Sequence, residues 1–237
     1  MVNVKVLGCG SAFTPQSVST SFLIEYDDYD VLVDCGFRVF EKLITIGYDF
    51  RRLKYVAITH THEDHISQLA SLFHYIIWMT PYDTPRIIAD GVAESVSVDV
   101  VKYLQKMEVP RNKIFMAWDG ICSSFRTKHT NISSCGFVFE DDVNSFVITG
   151  DTKCIMEVVD IYREKTSIGK NVIIYHDCQI IGINPPDSLM MPHATSMEIP
   201  IYYPKEVVES ILGVHYGNEE TIKYGKTNGI KMADVVK

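Results

Sequence analysis

The feature that most constrains this chain is the run His-Thr-His-Glu-Asp-His at residues 60–65, which places four potential metal ligands within six positions. Residues 55–59 before it are apolar or β-branched and predict a strand. After it, apolar residues recur at helical spacing until Pro81 and predict a helix, at Ile66, Leu69, Phe73, Ile76 and Ile77. The histidines are therefore expected on a loop between a strand and a helix.

This run indicates a site for two metal ions. Alternate residues of an extended segment point the same way, so His60 and His62 share one side, whereas Asp64 and His65 belong to the following turn and can face a second ion. A packed core has little use for so many imidazoles. The alternative is a solvated polar loop or a set of helix-capping groups.

The remaining pattern predicts one α/β domain over residues 1–237, without a linker or internal repeat. Strands are predicted at residues 1–7, 21–25, 30–34, 55–59, 86–89, near 114, 121–128, 135–139, 144–148, 172–175 and, as the final element, 211–214. Helices are predicted around residues 37–44, from the motif to residue 80, and at 92–106 and 155–162.

Charge and cysteine content exclude several classes of protein. The formal net charge of −8 argues against a protein that holds long nucleic acid through its overall field. The six cysteines form no C-x-x-C pair and are expected to be reduced, packed thiols.

No leader or membrane span is visible in the sequence, so we expect a cytoplasmic protein without a membrane partner.

The strand–loop–helix context of the run resembles that of the H-x-H-x-D-H motif in the metallo-β-lactamase superfamily. Residues 31–36, Val-Leu-Val-Asp-Cys-Gly, are similar to the family's strand that ends in Asp-x-Gly, where Asp34 would support the metal loop. The resemblance covers most of the chain. It implies an α/β fold of the superfamily's type, the αββα four-layer sandwich.

In that family a third-site His, a bridging Asp and a final His follow the motif, and three residues of this chain fit their order and contexts: His129, Asp151 and His215. Each has a structural alternative, namely an exposed strand-end His, a helix N-cap and a satisfied core His, respectively. The resemblance implies one metal held by His60, His62 and His129, another held by Asp64, His65 and His215, and Asp151 bridging the two.

Two further histidine-containing segments bear on the type of chemistry. Residues 192–195, Pro-His-Ala-Thr, resemble the His-Ser/Ala-Thr element of the branch that contains tRNase Z and related phosphodiesterases. In that branch the His contacts the scissile phosphate and can act as an acid, which implies a catalytic His193; the alternative is a surface His on a loop. We interpret His176 and Asp177 as structural or supporting residues rather than ligands, and His74 as a partly buried helix residue.

These groups suit phosphodiester hydrolysis. Two divalent ions sharing Asp151 would lower the pKa of a bridging water and neutralise charge on the phosphate oxygens. Asp64 could orient the nucleophile, and His193 is the best-placed proton donor for the leaving alkoxide. Zinc is the first expectation for the metal, with manganese and magnesium as alternatives.

The length of the stretch between His129 and Asp151 bears on the type of substrate. Proteins of the tRNase Z type carry a long arm there that grips tRNA, whereas residues 130–150 have room only for a pair of strands and a turn. Compact members without the arm include the anti-Pycsar phosphodiesterases of phages and bacteria. Residues 7–13 of this chain, Leu-Gly-Cys-Gly-Ser-Ala-Phe, resemble the corresponding start of those proteins.

That resemblance implies a homodimer that hydrolyses 3′,5′-cyclic mononucleotides to nucleoside 5′-monophosphates and so counteracts cyclic-nucleotide antiviral immunity. The expected substrates are cyclic CMP and cyclic UMP, with cyclic AMP and cyclic GMP as further candidates, and no stable nucleic-acid partner is expected. Two alternatives stay open. One is a tRNase-Z-like ribonuclease or another RNA-processing phosphodiesterase, and the other is a non-catalytic sponge that binds a nucleotide.

Overall fold

Two six-stranded sheets form the centre of the molecule in the computed structural model, which describes residues 1–14, 16–178, 192–216 and 219–236. The strands of the first sheet lie in chain order: β1 (Asn3–Gly8), β2 (Ser21–Glu25), β3 (Asp30–Val33), β4 (Leu53–Ala57), β5 (Arg86–Ile88) and β6 (Met116–Ala117). The pairs β1–β2 and β2–β3 are antiparallel, as a meander requires, and from β3 to β6 neighbouring strands run parallel.

The second sheet is built from the C-terminal half of the described chain. In chain order its strands are β7 (Ser123–Arg126), β8 (Cys135–Glu140), β9 (Asn144–Ile148), β10 (Asn171–Asp177), β11 (Ile211–Val214) and β12 (Lys231–Met232). The hairpin β8–β9 and the pair β7–β8 are antiparallel, while β9 to β12 run parallel. Parallel strands bring their carboxyl ends to one edge of a sheet, and the functional side chains follow several of these ends.

Helices cover the outer faces of both sheets. They are α1 (Val39–Thr45), α2 (Glu63–Ile66), α3 (Leu69–Met79), α4 (Ala93–Lys106), α5 (Met156–Ser167), α6 (Ile199–Tyr202), α7 (Lys205–Glu209) and α8 (Glu219–Thr227), with a short 3₁₀ turn at Arg111–Lys113. Helix α4 packs on β5 of the first sheet, and α5 packs on β10 of the second. No helix among the described residues is long and apolar enough to cross a membrane.

The side chains of β8 show directly how the layers are stacked. Phe137 and Phe139 belong to the large apolar cluster that also contains the first sheet, whereas Val138 between them belongs to a second cluster with α5. Alternation of this kind arises because successive side chains of a strand point to opposite faces. Phe22 of the first sheet also meets Tyr175 of the second, with ring centroids 5.0 Å apart. The result is the predicted αββα four-layer sandwich.

The predicted single helix after the motif is wrong, because residues Ser67 and Gln68 interrupt it between α2 and α3. The backbone N–H of Gln68 donates to the carbonyl of Cys35 (2.9 Å), and its side-chain oxygen accepts from the N–H of Phe40 (2.9 Å). The first bond takes the place of an intrahelical bond of the Gln68 N–H, and the two bonds tie this segment to Cys35 after β3 and to α1. The prediction that residues 211–214 form the final element is also wrong, since α8 and β12 follow them.

Candidate metal centre

The histidine run lies where its context predicts, between the end of β4 at Ala57 and the short helix α2. His62 is extended (φ −70°, ψ 154°) and immediately precedes the helix, whereas Asp64 and His65 lie in its single turn. The run is held against the residues after β3, where the N–H of Cys35 donates to the carbonyl of His65 (2.7 Å). A Cβ at Gly36 would lie 1.7 Å from the carbonyl oxygen of Asp64, so only glycine permits this approach.

Asp34 orients His65 through the ring nitrogen that points away from the donor groups. Its carboxylate accepts hydrogen bonds from the N–H and the hydroxyl of Thr59, each at 2.8 Å, and lies 2.8 Å from Nδ1 of His65. A carboxylate on Nδ1 sets the tautomer in which Nε2 of His65 faces the site with its lone pair. The structure thus places Asp34 in the supporting position that the resemblance implies.

The first group of donor atoms is formed by His60, His62, His129 and Asp151, whose ligand atoms all lie within 4.8 Å of one another. Nδ1 of His62 lies 3.0 Å from Nε2 of His60 and 3.0 Å from Nε2 of His129. Oδ2 of Asp151 lies 3.6 Å from Nε2 of His60 and 3.7 Å from Nε2 of His129. Three imidazole nitrogens and one carboxylate oxygen therefore converge on a common point.

The second group is formed by Asp64, His65, Asp151 and His215, and it is fully buried. Nε2 of His65 lies 3.3 Å from Oδ1 of Asp151 and 3.5 Å from Oδ2 of Asp64. Nε2 of His215 lies 3.4 Å and 3.2 Å from the same two oxygens, respectively. Asp151 belongs to both groups and presents a different oxygen to each, which is the geometry of a bridging carboxylate.

The chemistry of these donors fits two divalent cations. Burial lowers the pKa of His60 well below its ordinary value and lowers the pKa of His129 to about 4, so both rings are neutral and offer a lone pair. In the second group, burial opposes the charged form of His215, but Asp151, Asp177 and Asp64 outweigh it and raise the pKa to about 10. The second position therefore favours positive charge.

Two buried polar atoms support this fit. Nε2 of His65 and Oδ1 of Asp151 are buried and lie 3.3 Å apart, yet neither makes a hydrogen bond of good geometry among the described residues. A buried polar atom without a partner costs free energy. An ion held by the second group would satisfy both atoms, and the mixed set of nitrogen and carboxylate ligands suits zinc, with manganese as an alternative.

The structural alternatives for the later residues do not hold. The side chain of His129 is only 1% exposed, so it is not an exposed strand-end His. The residue before α5 is Ile155, so Asp151 is not its N-cap. Nε2 of buried His215 faces Asp64 and Asp151 of the second group, so His215 is a member of the candidate site and not only a core His.

Local backbone geometry delivers two of these residues to the site. His215 directly follows β11 and has a left-handed conformation (φ 58°), which residues other than glycine rarely adopt. Asp151 follows Gly150, whose φ is 59° and whose absent Cβ would lie 2.7 Å from Cβ of Thr59. Glycine at position 150 therefore allows the loop after β9 to press against the metal-binding run.

His193 lies beside both groups, next to a carboxylate. Its Nδ1 is 2.7 Å from Oδ2 of Asp177 and 3.8 Å from Oδ2 of Asp151. Its ring stacks on that of His215, with centroids 5.1 Å apart and an interplanar angle of 21°. His193 is 8% exposed, so it is not a surface loop residue.

Asp177 and His176 take different roles at the end of β10. Asp177 accepts a hydrogen bond from the N–H of Thr152 (2.9 Å) besides its contact with His193. His176 is completely buried, with Nε2 2.8 Å from the hydroxyl of Tyr203 and Nδ1 2.8 Å from the carbonyl of Asp177. His176 is thus structural. Asp177 contacts site residues and also groups with Asp151, His193 and His215 as potential metal ligands, so its interpretation as a supporting residue stays a prediction.

Sequence reasoning missed Thr59, Thr152 and Tyr203, which hold the site residues in place. The hydroxyl of Tyr203 also accepts the N–H of Ile155 and so ties the loop after Asp151 to the end of β10, where His176 lies. Position in the sequence gives no signal for such contacts. His74 lies away from the site in α3, with Nε2 2.9 Å from the carbonyl of Met107, as expected of a helix residue.

Comparisons with known proteins agree with this geometry. The family model described as "Anti-Pycsar protein Apyc1" matches residues 2–236. An anti-Pycsar protein Apyc1 of Paenibacillus harenae is 23% identical over 248 residues, which cover 98% of this chain and 97% of that protein.

Solved structures share the fold. The metallo-β-lactamase fold protein YhfI from Bacillus subtilis superposes with a TM-score of 0.76 at 19% identity, covering 100% of this chain and 97% of that one. The short form of human tRNase Z superposes with a TM-score of 0.70 at 14% identity, covering 100% and 98%. These likenesses confirm the metallo-β-lactamase fold that the resemblance implied.

Proposed function

Because this chain belongs to the anti-Pycsar protein Apyc1 family, we propose that it is a metal-dependent phosphodiesterase that hydrolyses 3′,5′-cyclic mononucleotides to nucleoside 5′-monophosphates. The observation that carries the proposal is the pair of donor groups that share Asp151, with His193 beside both. Such an arrangement can hold a phosphodiester and hydrolyse it, and the proposed biological consequence is removal of a cyclic-nucleotide immune signal.

In this proposal the two donor groups bind divalent ions, and zinc is the first expectation for both. Bound ions of this kind activate water for attack and neutralise negative charge on the phosphate oxygens. The chain's own contribution is to fix the ligands, since Asp34 holds His65 and Thr59 holds Asp34. Asp64, whose Oδ2 faces both His65 and His215, is in addition placed to orient the attacking water.

His193 is the proposed proton donor for the leaving oxygen. Its Nδ1 contacts the carboxylate of Asp177, which leaves Nε2 for the substrate. Hydrolysis of a cyclic nucleotide releases an alkoxide of the ribose, a poor leaving group that needs a proton. In its imidazolium form, His193 would supply that proton from Nε2 while Asp177 keeps the ring in one orientation.

A small substrate is favoured over tRNA by the segment between His129 and Asp151. In the described structure, residues 135–148 form only the tight hairpin β8–β9, with its turn at residues 141–143. An arm for gripping tRNA therefore has no place in this segment. The net charge of −8 also disfavours extended contact with a nucleic-acid backbone.

The test is to incubate the zinc-loaded protein with cyclic CMP, cyclic UMP, cyclic AMP and cyclic GMP and to follow nucleoside 5′-monophosphate by chromatography. We expect product from several of them and none with His62→Ala, which removes a ligand of the first group. Pre-tRNA is the control substrate. Cleavage of pre-tRNA without cyclic-nucleotide hydrolysis would favour the ribonuclease alternative, and binding without turnover in the parent would favour the sponge.

The predicted homodimer is a separate proposal that rests on the family resemblance. Light scattering on the purified protein tests it through the molar mass in solution. A mass of one chain, 26.9 kDa, at working concentrations would contradict it.

A further inference from the structure

A third group of metal-ligating side chains overlaps the two groups that share Asp151. It is formed by Asp151, Asp177, His193 and His215, whose ligand atoms all lie within 4.8 Å of one another. Asp151 and His215 also belong to the second group, whereas Asp177 and His193 are members of this third group alone. The third group is therefore a further position for a cation at the edge of the same centre.

The spacing of its donor atoms fits a tetrahedral ion. Nδ1 of His193 lies 2.7 Å from Oδ2 of Asp177 and 3.8 Å from Oδ2 of Asp151. Nδ1 of His215 lies 3.5 Å from Oδ1 of Asp177. Ligands on a tetrahedral zinc with bonds of about 2.0–2.1 Å lie about 3.3 Å apart, and the observed separations bracket this value.

Sharing of ligands makes this position weaker than the other two. His215 turns Nε2 to the second group and Nδ1 to Asp177, so a ring that binds ions on both sides must lose both N–H protons. Asp151 likewise turns Oδ1 to the second group, while its Oδ2 faces His193 as well as the first group. Both demands cost free energy, so we expect the third position to fill last.

Charge points in the same direction. The imidazoles of the centre face four carboxylates in the described structure, those of Asp34, Asp64, Asp151 and Asp177. These carboxylates match the charge of two divalent ions, and a third ion would add positive charge in excess of them. The third position is thus expected to fill only when the metal is in excess.

The third group is reached through His193, the proposed proton donor. The side chain of His193 is 11% exposed, whereas that of Asp177 is completely buried. A cation on Nδ1 takes the place of the proton there, and that proton leaves to the solvent. The imidazolium form then cannot arise, and the ring loses its direct contact with the carboxylate of Asp177.

We propose that Asp177 and His193, together with Asp151 and His215, form an inhibitory site for a third zinc ion, which binds in excess zinc and stops hydrolysis by capturing the proton donor. The position of the site rests on its geometry, whereas the inhibition rests on the proposed function. Mixed nitrogen and carboxylate ligands favour zinc over magnesium, which prefers oxygen ligands. Hydrolysis would consequently depend on the free zinc concentration.

Zinc binding tests the site without turnover. Protein loaded with two zinc ions per chain is dialysed against rising free zinc, and mass spectrometry counts the bound metal. We expect the parent to bind a third ion with a Kd at least about tenfold above the other two, and Asp177→Asn and His193→Ala to stop at two. Asp160→Asn, which removes an exposed carboxylate on α5, is the matched control and should bind three.

Hydrolysis tests the inhibition. Zinc concentrations that fill the third position should slow cyclic CMP hydrolysis by the parent at least about tenfold, because the proton donor is lost. Bis(4-nitrophenyl) phosphate, whose leaving group needs no proton, should be affected far less. Magnesium at the same concentrations is the control ion and should not inhibit.

The outcomes separate the site from the activity. If the parent binds no third ion, or if Asp177→Asn and His193→Ala bind it as the parent does, the site is wrong. If the third ion leaves cyclic CMP hydrolysis unchanged, or slows both substrates equally, the capture of the proton donor is wrong. If only the parent and Asp160→Asn bind the third ion while the parent hydrolyses no cyclic nucleotide, the site stands and the proposed activity fails.

Discussion

Asp177 lies 2.7 Å from Nδ1 of His193, and this contact fixes the ring that faces the proposed substrate. Asp177→Asn keeps the size of the side chain and an acceptor for the N–H of Thr152 but removes the charge. We expect kcat for cyclic CMP to fall roughly tenfold to a hundredfold, because the imidazolium form of His193 loses its partner. KM should change little, and steady-state kinetics measure both.

Metal content is the control for that variant, since Oδ1 of Asp177 also lies 3.5 Å from Nδ1 of His215. Mass spectrometry of the purified protein should find the same zinc content in Asp177→Asn as in the parent. A loss of activity explained by loss of metal would contradict the positioning role.

His193→Ala should separate poor leaving groups from good ones. If His193 protonates the leaving alkoxide, the rate on cyclic CMP falls by about 10²–10⁴, the usual contribution of a general acid. Bis(4-nitrophenyl) phosphate releases a phenolate that needs no proton, so its hydrolysis should fall far less. Equal losses on both substrates would show that His193 acts by binding the phosphate rather than by donating a proton.

Asp34→Asn tests the support of the metal-binding run. Asp34 has a left-handed conformation (φ 58°), which asparagine tolerates, so the backbone should be retained. The amide cannot accept all the bonds that the carboxylate receives from Thr59 and His65. Competition with a chelator should show zinc affinity lower by about 10–100-fold. Parent-like affinity would mean that the packing around Gly36 positions His65 without help from the charge.

The metal-binding run could be predicted because its signal is local. His60, His62, Asp64 and His65 occur between a strand pattern and a helix pattern, and no structural role explains that many ligands. His129, Asp151 and His215 are far apart in sequence, yet each follows a recognisable strand, and parallel strands end at a common edge. The structure brings these residues together in the groups that the resemblance implied.

The remaining features depend on tertiary contacts that have no local pattern. The apolar residues after His65 keep helical spacing across Ser67 and Gln68, yet the helix is interrupted there, where the backbone N–H of Gln68 donates to Cys35 instead of to its own helix. Tyr203 looks like one core aromatic among many, yet its hydroxyl contacts His176 and Ile155. Such contacts join residues that only the completed fold places together.

Asp141, in the turn between β8 and β9, should make stability depend on pH. Its carboxylate accepts the N–H groups of Val2, Val143 and Asn144, which lower its pKa to about 2. A lowered pKa in the folded state stabilises the protein above the unfolded value of about 3.9, and this stabilisation disappears as the pH falls toward 2.

Asp141→Asn lacks that contribution at every pH. Urea unfolding should therefore show the variant less stable than the parent at pH 7, with a difference that shrinks between pH 4 and pH 2. A difference that is constant over this range would mean that the amide side chain itself, rather than the lost charge, accounts for the destabilisation.

Metal binding should raise the melting temperature, because the described centre buries carboxylates whose charges the ions would offset. Asp151 is 3% exposed and Asp64 4% exposed, and both face imidazoles that can bind zinc. An ion that binds only the folded state adds about 4.1 kcal/mol at a free concentration a thousandfold above its Kd. Calorimetric scans should therefore show Tm rising with zinc and falling with chelator, with a smaller rise for His62→Ala.

His74→Ala, in α3 and away from the centre, is the matched control and should respond as the parent does. If the Tm of the parent is the same with chelator as with saturating zinc, the two donor groups do not bind the ion in the folded state.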